Sequence, residues 1–288
     1  MDNGIHIRQN EEKSLAMLAA QRQLYSDAKR FFYVDFVLLV IIPFLFSILM
    51  LFWKNNHCLE FLSYIVSIIA LLSSLIFDWK ETSKKELAAY IQTKFDTYVF
   101  QMPWKVNTFP EEKDVRLIID DNSQKLFKKD PNQKERLKNW YDCAENMKTA
   151  PLLNTIYSCQ HENLTWDYEL RKRVRNGGNV LSGVLIFLII VSGVIFNSSV
   201  LQVMYRFVFI LPILKWAVDL NKTLPKDMRR LDALRSKFSS DTPDSMDDLQ
   251  MIEYDFYNHR SQCYLIPDLI YKIYRKRDSE REQRISSL

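Results

Sequence analysis

Glycine is scarce in this chain, with five residues in 288. No stretch shows sustained alternation of apolar and polar residues punctuated by Asn-Gly turns, so a β-sheet protein is excluded and an all-α one expected. Cysteine is nearly absent too. Cys58, Cys143, Cys159 and Cys263 form no C-x-x-C pair and read as free thiols, at least three of them in regions expected in the cytoplasm, where thiols stay reduced. There are four histidines. Cys159 lies near His161, and His259 stands four residues before Cys263, but neither pair has the further ligands a zinc site needs. No metal and no cofactor is expected. The chain contains neither G-x-x-x-x-G-K-[ST] nor G-x-S-x-G, and Asp120 and Asp121 diverge on a helix as part of a solvated face. No catalytic residue is assigned and no enzyme is expected. A net charge of +4 is too small to imply a DNA or RNA partner. The first 30 residues are polar and lack the apolar core of a signal peptide, so the first span would serve as an internal signal-anchor.

What the chain does have is concentrated hydrophobicity. Its hydrophobic share is 48% and its mean hydropathy −0.19, so the apolar residues must be gathered into blocks. Residues 177–205 carry no charge at all. A bilayer core needs only about 20 apolar residues in a helix. Four spans are predicted, as two hairpins: 36–53 with 61–77, and 180–196 with 200–218. Pro43 and Pro212 should kink the first and the fourth. The chain divides accordingly into an N-terminal helix (1–35), a first transmembrane hairpin (36–77), a helical region (78–176), a second hairpin (177–218) and C-terminal helices (219–288). Within the polar parts, helices are predicted over 10–29, 84–100, 115–128, 135–148, 153–159, 163–175 and 246–264. The N-terminal helix is expected to run into the membrane or along its surface, or else to pack against another helix. The middle region is rich in aromatics, too many for a disordered linker.

Positive charge is one-sided. Lys29 and Arg30 precede the first span, and Lys80, Lys84 and Lys85 follow the second. Arg171, Lys172, Arg173 and Arg175 precede the third, and Lys222, Lys226, Arg229 and Arg230 follow the fourth. The opposite loops carry Lys54 and nothing else of that sign. The positive-inside rule then places both termini and the middle region in the cytoplasm. With so little chain outside, a receptor for extracellular ligands is not expected, and the glycosylation pattern at Asn197 reads as a chance match.

Three groups of residues invite a role. Arg206 falls inside the fourth span, at a cost of about 2.5–3.5 kcal/mol if central. Its side chain either snorkels to the headgroups or, from several protomers, lines a pore; four spans enclose little space, so a pore implies a homo-oligomer. Lys215 and Asp219, four residues apart, can form a clamp with Asp35 at the same level. The cluster Arg171, Lys172, Arg173 and Arg175 suits anionic lipid headgroups or an anionic ligand.

Two stretches carry a family resemblance. They are residues 8–30 (RQNEEKSLAMLAAQRQLYSDAKR) and 159–173 (CQHENLTWDYELRKR), each just ahead of a span. With the two-plus-two arrangement of spans, they resemble the bacterial SMODS-associating four-transmembrane effector family, over nearly the whole chain. The resemblance implies a membrane effector of CBASS-type antiphage defence at the bacterial inner membrane. In such defence a cyclic-oligonucleotide synthase (a CD-NTase) makes a messenger, and the effector breaches the membrane. No separate nucleotide-sensing domain is recognisable, so a messenger would meet the cytoplasmic helices, with Arg22, Lys29, Arg30, Arg171, Lys172 and Arg173 as phosphate contacts. The alternative is a non-conducting membrane scaffold that recruits a cytoplasmic partner.

Overall fold

A computed structural model describes residues 2–53, 57–105, 107–141, 145–195, 200–238, 245–268 and 270. The side chains at 51, 57, 59, 60, 145, 146, 162, 163, 165, 166, 193, 194 and 200–208 lie outside that description. All regular structure among the described residues is helical: α1 (Ile5–Arg8), α2 (Glu12–Phe36), α3 (Ile42–Phe52), α4 (His57–Val99), α5 (Arg116–Lys129), α6 (Gln133–Arg136), α7 (Glu145–Thr149), α8 (Leu152–Ile195), α9 (Val200–Lys237) and α10 (Met246–Gln262). A π-helical segment, Val37–Ile41, joins α2 to α3.

That segment has a local cause. Pro43 sits in the first two residues of α3. Its ring cannot donate to the carbonyl four residues back and crowds it. The wider π turn just ahead absorbs the mismatch. The irregularity expected at Pro43 is thus a change of helix type. α9, by contrast, remains one helix through Pro212 and also through Pro225, and reaches well beyond the predicted fourth span.

Three helices among the described residues are long and apolar enough to cross a membrane: Glu12–Met50, Phe61–Val99 and Asp167–Ser192. They contain the second predicted span and most of the first and third, which run three and four residues further. The start of α9 would supply the fourth, but its side chains from 200 to 208, Arg206 included, lie outside the described residues.

The chain gathers into two compact units. A polar unit comprises Met1–Ala28, Thr82–Glu169 and Asp227–Cys263; an apolar unit comprises Lys29–Glu81, Leu170–Lys226 and Tyr264–Leu288. The chain passes between them five times, and four of those boundaries fall inside α2, α4, α8 and α9.

The polar unit has an ordinary apolar core. Leu15, Leu18 and Leu24 of α2 share one buried cluster with Ile91, Phe95 and Val99 of α4, and Ile156 and Leu249 complete it. Each such side chain contributes about 1.5–3 kcal/mol when fully buried. The first part of α2 is therefore a core helix of this unit, the packing alternative among the sequence-based expectations. The helix predicted over 135–148 does not form as such. Leu137 and Tyr141 are buried, and Asn139 adopts a left-handed backbone (φ 53°). The side chain of Gln9 grips the backbone of Tyr141 from both sides, accepting from its N–H at 2.8 Å and donating to its carbonyl at 3.2 Å. That grip across 132 residues overrides local helix preference.

The apolar unit is apolar outside as well as within, where Leu39, Val40, Leu185, Ile189, Ile210 and Ile213 form a buried cluster. On α4, Ile68, Leu72 and Leu75 are exposed, the last by 63%, while Ser63, Ser67 and Ser74 are buried on the opposite side. Ser74 donates its hydroxyl to the carbonyl of Leu71 at 2.8 Å, satisfying it within its own helix. An apolar exterior, with small hydroxyl residues where helices meet, is what helices packed in lipid favour.

Candidate functional site

The basic residues singled out in the sequence divide between the units. Arg22 lies in the polar unit and is exposed. Lys29 and the cluster at 171–175 lie in the apolar unit, where they mostly hold protein. Lys29 pairs with Asp268, and the amide of Asp268 donates to the hydroxyl of Tyr33 at 2.9 Å. Arg171, expected as a headgroup or phosphate contact, is buried and donates to the carbonyl of Tyr264 at 3.0 Å. Its guanidinium secures the segment after α10 instead of facing outward. Arg175 donates to Asn221 Oδ1 at 3.2 Å, and Asn221 exchanges amide hydrogen bonds with Asn179 at 2.6 and 3.2 Å. Arg30 and Lys172 are exposed and Arg173 half-buried.

Lys215 lies 3.0 Å from Asp219, and Asp78, at 3.8 Å, is the second carboxylate beside it. One carboxylate oxygen of Asp35 is buried without a hydrogen bond among the described residues. Cys58, Cys159 and Cys263 are free thiols, and Cys143 lies outside the described residues. His259 meets Asp167 at 2.8 Å.

Two arrangements in the polar unit were not anticipated. The first is a buried polar cluster. Arg260 on α10 donates to Asp96 of α4 at 2.6 Å and to Glu253, one helical heptad before it, at 3.3 Å. The hydroxyl of Tyr141 donates to the other oxygen of Asp96, and Gln160 of α8 donates to Glu253 at 3.0 Å. Burial pushes the Glu253 carboxyl upward, and Asp96 adds to the push; Arg260 opposes it. Burial and the neighbouring carboxylates also push the Tyr141 hydroxyl well up. The two carboxylates are buried, Arg260 is partly exposed, and the cluster ties α4, α8 and α10 together. The spacing of Glu253 and Arg260 on one face of a helix was its only signal in the sequence.

The second is a cleft of about 630 Å³. After α4 the chain turns at Gln101 (φ 56°) and returns as a strap. Tyr90 pins the strap, its hydroxyl accepting from the amide of Lys113 at 2.7 Å. Trp104 donates to the carbonyl of Pro110 at 3.0 Å and stacks on Phe109, fixing the strap's own shape. Met17, Met102, Val115 and Ile119 supply an apolar wall, and Tyr98 and Trp104 an aromatic one. Lys13, Lys94, Lys113 and Arg116 face two carboxylates, Glu112 and Asp114. Lys94 is paired with Glu112 at 2.7 Å and Arg116 with Asp114 at 2.7 Å, which holds the Asp114 carboxyl down near 2. Nothing local in the sequence marks this site, because α2, α4, the strap and α5 each give only one or a few of its residues.

The whole-chain comparison is decisive for kinship. A family described as the SMODS-associating 4TM effector domain matches residues 3–286. The chain belongs to that family. This SMODS-associating effector is also similar to a protein of Bacillus cereus (strain VD146) named as a probable CBASS effector molecule. The two are 27% identical over 290 aligned positions, covering 95% of this chain and 94% of that one. No solved structure matches the effector.

Proposed function

We propose that this protein is a membrane effector of CBASS-type antiphage defence, which opens the bacterial inner membrane when its polar unit binds a cyclic-nucleotide messenger. The observation that carries the reading is the match of the effector family to residues 3–286, on a chain whose apolar unit has a lipid-compatible exterior. The spans are 36–53, 61–77, 180–196 and 200–218, with both termini and the intervening helical region in the cytoplasm. α2, α4, α8 and α9 have residues in both units, so a ligand that reshapes the polar unit acts on helices that continue into the bilayer. The breach is non-enzymatic and needs no cofactor. It is made by a homo-oligomer, with Arg206 of each protomer at the pathway.

The test is dye release from liposomes holding the purified protein, with and without cyclic di- and trinucleotides. Release with one nucleotide alone is the expected result. Silence with all of them, from folded and inserted protein, would move the assignment to the scaffold that recruits a partner. Arg206→Leu should change conductance or release if the guanidinium lines the pathway; unchanged release would return it to the headgroups.

A further inference from the structure

The cleft beneath the strap has the composition of a site for a flat, negatively charged ligand. Its volume, about 630 Å³, is within the usual range of small-molecule sites, about 300–1,000 Å³. Two of its four cations are cancelled by adjacent carboxylates, as described for Lys94 and Arg116. Lys13 and Lys113 are not so paired among the described residues. Lys13 lies over the ring of Tyr98, its Nζ 4.2 Å from the centroid, and so is positioned by a π face instead of by a carboxylate. Such a contact orients an ammonium while leaving its full charge for another partner. The first turn of α5 also lines the cleft, and its cap residue, Val115, has no side chain to offer the turn's amides. Asp114 takes the place of a cap there, accepting from the amide of Arg116 at 3.1 Å, so the start of α5 already holds a protein carboxylate. Opposite stand the apolar and aromatic walls, which suit the face of a ring.

We infer that this cleft binds a nucleotide, its phosphates between Lys13 and Lys113, and a base against the wall that carries Trp104. The inference rests on the effector reading above and assigns the messenger to a place away from the basic cluster at 171–175. The ring-plus-phosphate chemistry is shared by cyclic oligonucleotides and by nucleoside triphosphates, so both must be probed.

The experiment is equilibrium binding to the full-length protein in lipid nanodiscs. The probes are cyclic di-AMP, cyclic GMP–AMP, cyclic tri-AMP, ATP and inorganic pyrophosphate. One cyclic nucleotide should bind, pyrophosphate much more weakly. Lys13→Glu and Lys113→Glu, both at exposed positions and so compatible with folding, should each weaken binding at least tenfold. Trp104→Leu should do the same, while Lys172→Glu stays within twofold of wild type. Binding of ATP in preference to every cyclic probe would keep the cleft as a nucleotide site and reject the messenger as its ligand. The inference fails if no nucleotide binds, if pyrophosphate binds as well as any of them, or if the two lysine variants bind as wild type does. The same variants in the release assay separate the two claims. Nucleotide-triggered release that survives Lys13→Glu and Lys113→Glu would leave the effector reading standing and remove the cleft. Absence of both binding and release would remove both.

Discussion

One guanidinium, that of Arg260, stands between two carboxylates that have almost no contact with water: Asp96 is 0% and Glu253 1% exposed. Removing a partner from such a cluster strands charge in the interior. Arg260→Leu should therefore destabilise the protein by about 3–5 kcal/mol, read as a lower unfolding midpoint in detergent. The same cluster has a pH signature. Glu253 titrates near 8 in the folded protein against 4.5 for the ordinary carboxyl, so the folded chain keeps that proton longer than the unfolded one. Where the folded state binds more protons, stability falls as pH rises. The contribution is fully present below the unfolded position and lost on passing through the folded one. Glu253→Gln has no such slope. Between about pH 5 and about pH 8 the variant should gain on wild type by at least about 1.4 kcal/mol. Parallel stability curves would show that Glu253 does not hold the proton.

At the scale of elements, the contact between α8 and α9 can be probed at adjacent glycines. A side chain at Gly178 would come within 2.6 Å of Leu220, whereas at Gly177 it would meet nothing within 4 Å. Gly177→Ala should be neutral or stabilising, by up to about 1 kcal/mol from helix propensity alone. Gly178→Val should displace Leu220 and strain the Asn179–Asn221 pair beside it, lowering the yield of folded protein. Equal behaviour of the two variants would mean that the helices do not approach there. The elements also show what could be read in advance. The charge-free runs at 36–53, 61–77 and 180–196 were legible because lipid-compatible helices announce themselves by composition. The early apolar stripe of α2 was legible as a helix, but not its partner. Residues 135–148 misled because their fate depends on Gln9, far away in the chain. The basic cluster was visible as charge, yet the burial of Arg171 against the Tyr264 carbonyl leaves no trace in local sequence. The cleft was invisible for a similar reason: Lys13, Lys94, Trp104 and Arg116 become neighbours only on folding.

For the whole molecule, Cys58 offers a test of the proposed topology. It is exposed at the start of α4, whereas Cys159 and Cys263 are buried. In a variant retaining Cys58 alone, a membrane-impermeant maleimide added to spheroplasts should label the protein without lysis. Labelling only after lysis would invert the proposed orientation.

The interleaving of the two units also sets a timetable for biosynthesis. Ile5 shares a core with Leu249, so the first helix to leave the ribosome waits for nearly the last. At roughly 5–20 residues per second, that wait is on the order of 12–50 seconds. The first two long apolar helices leave the ribosome long before the polar unit can close. A nascent chain cut short anywhere in this interval has membrane-seeking segments but no finished polar unit. Only when α10 has joined that core is the polar unit complete.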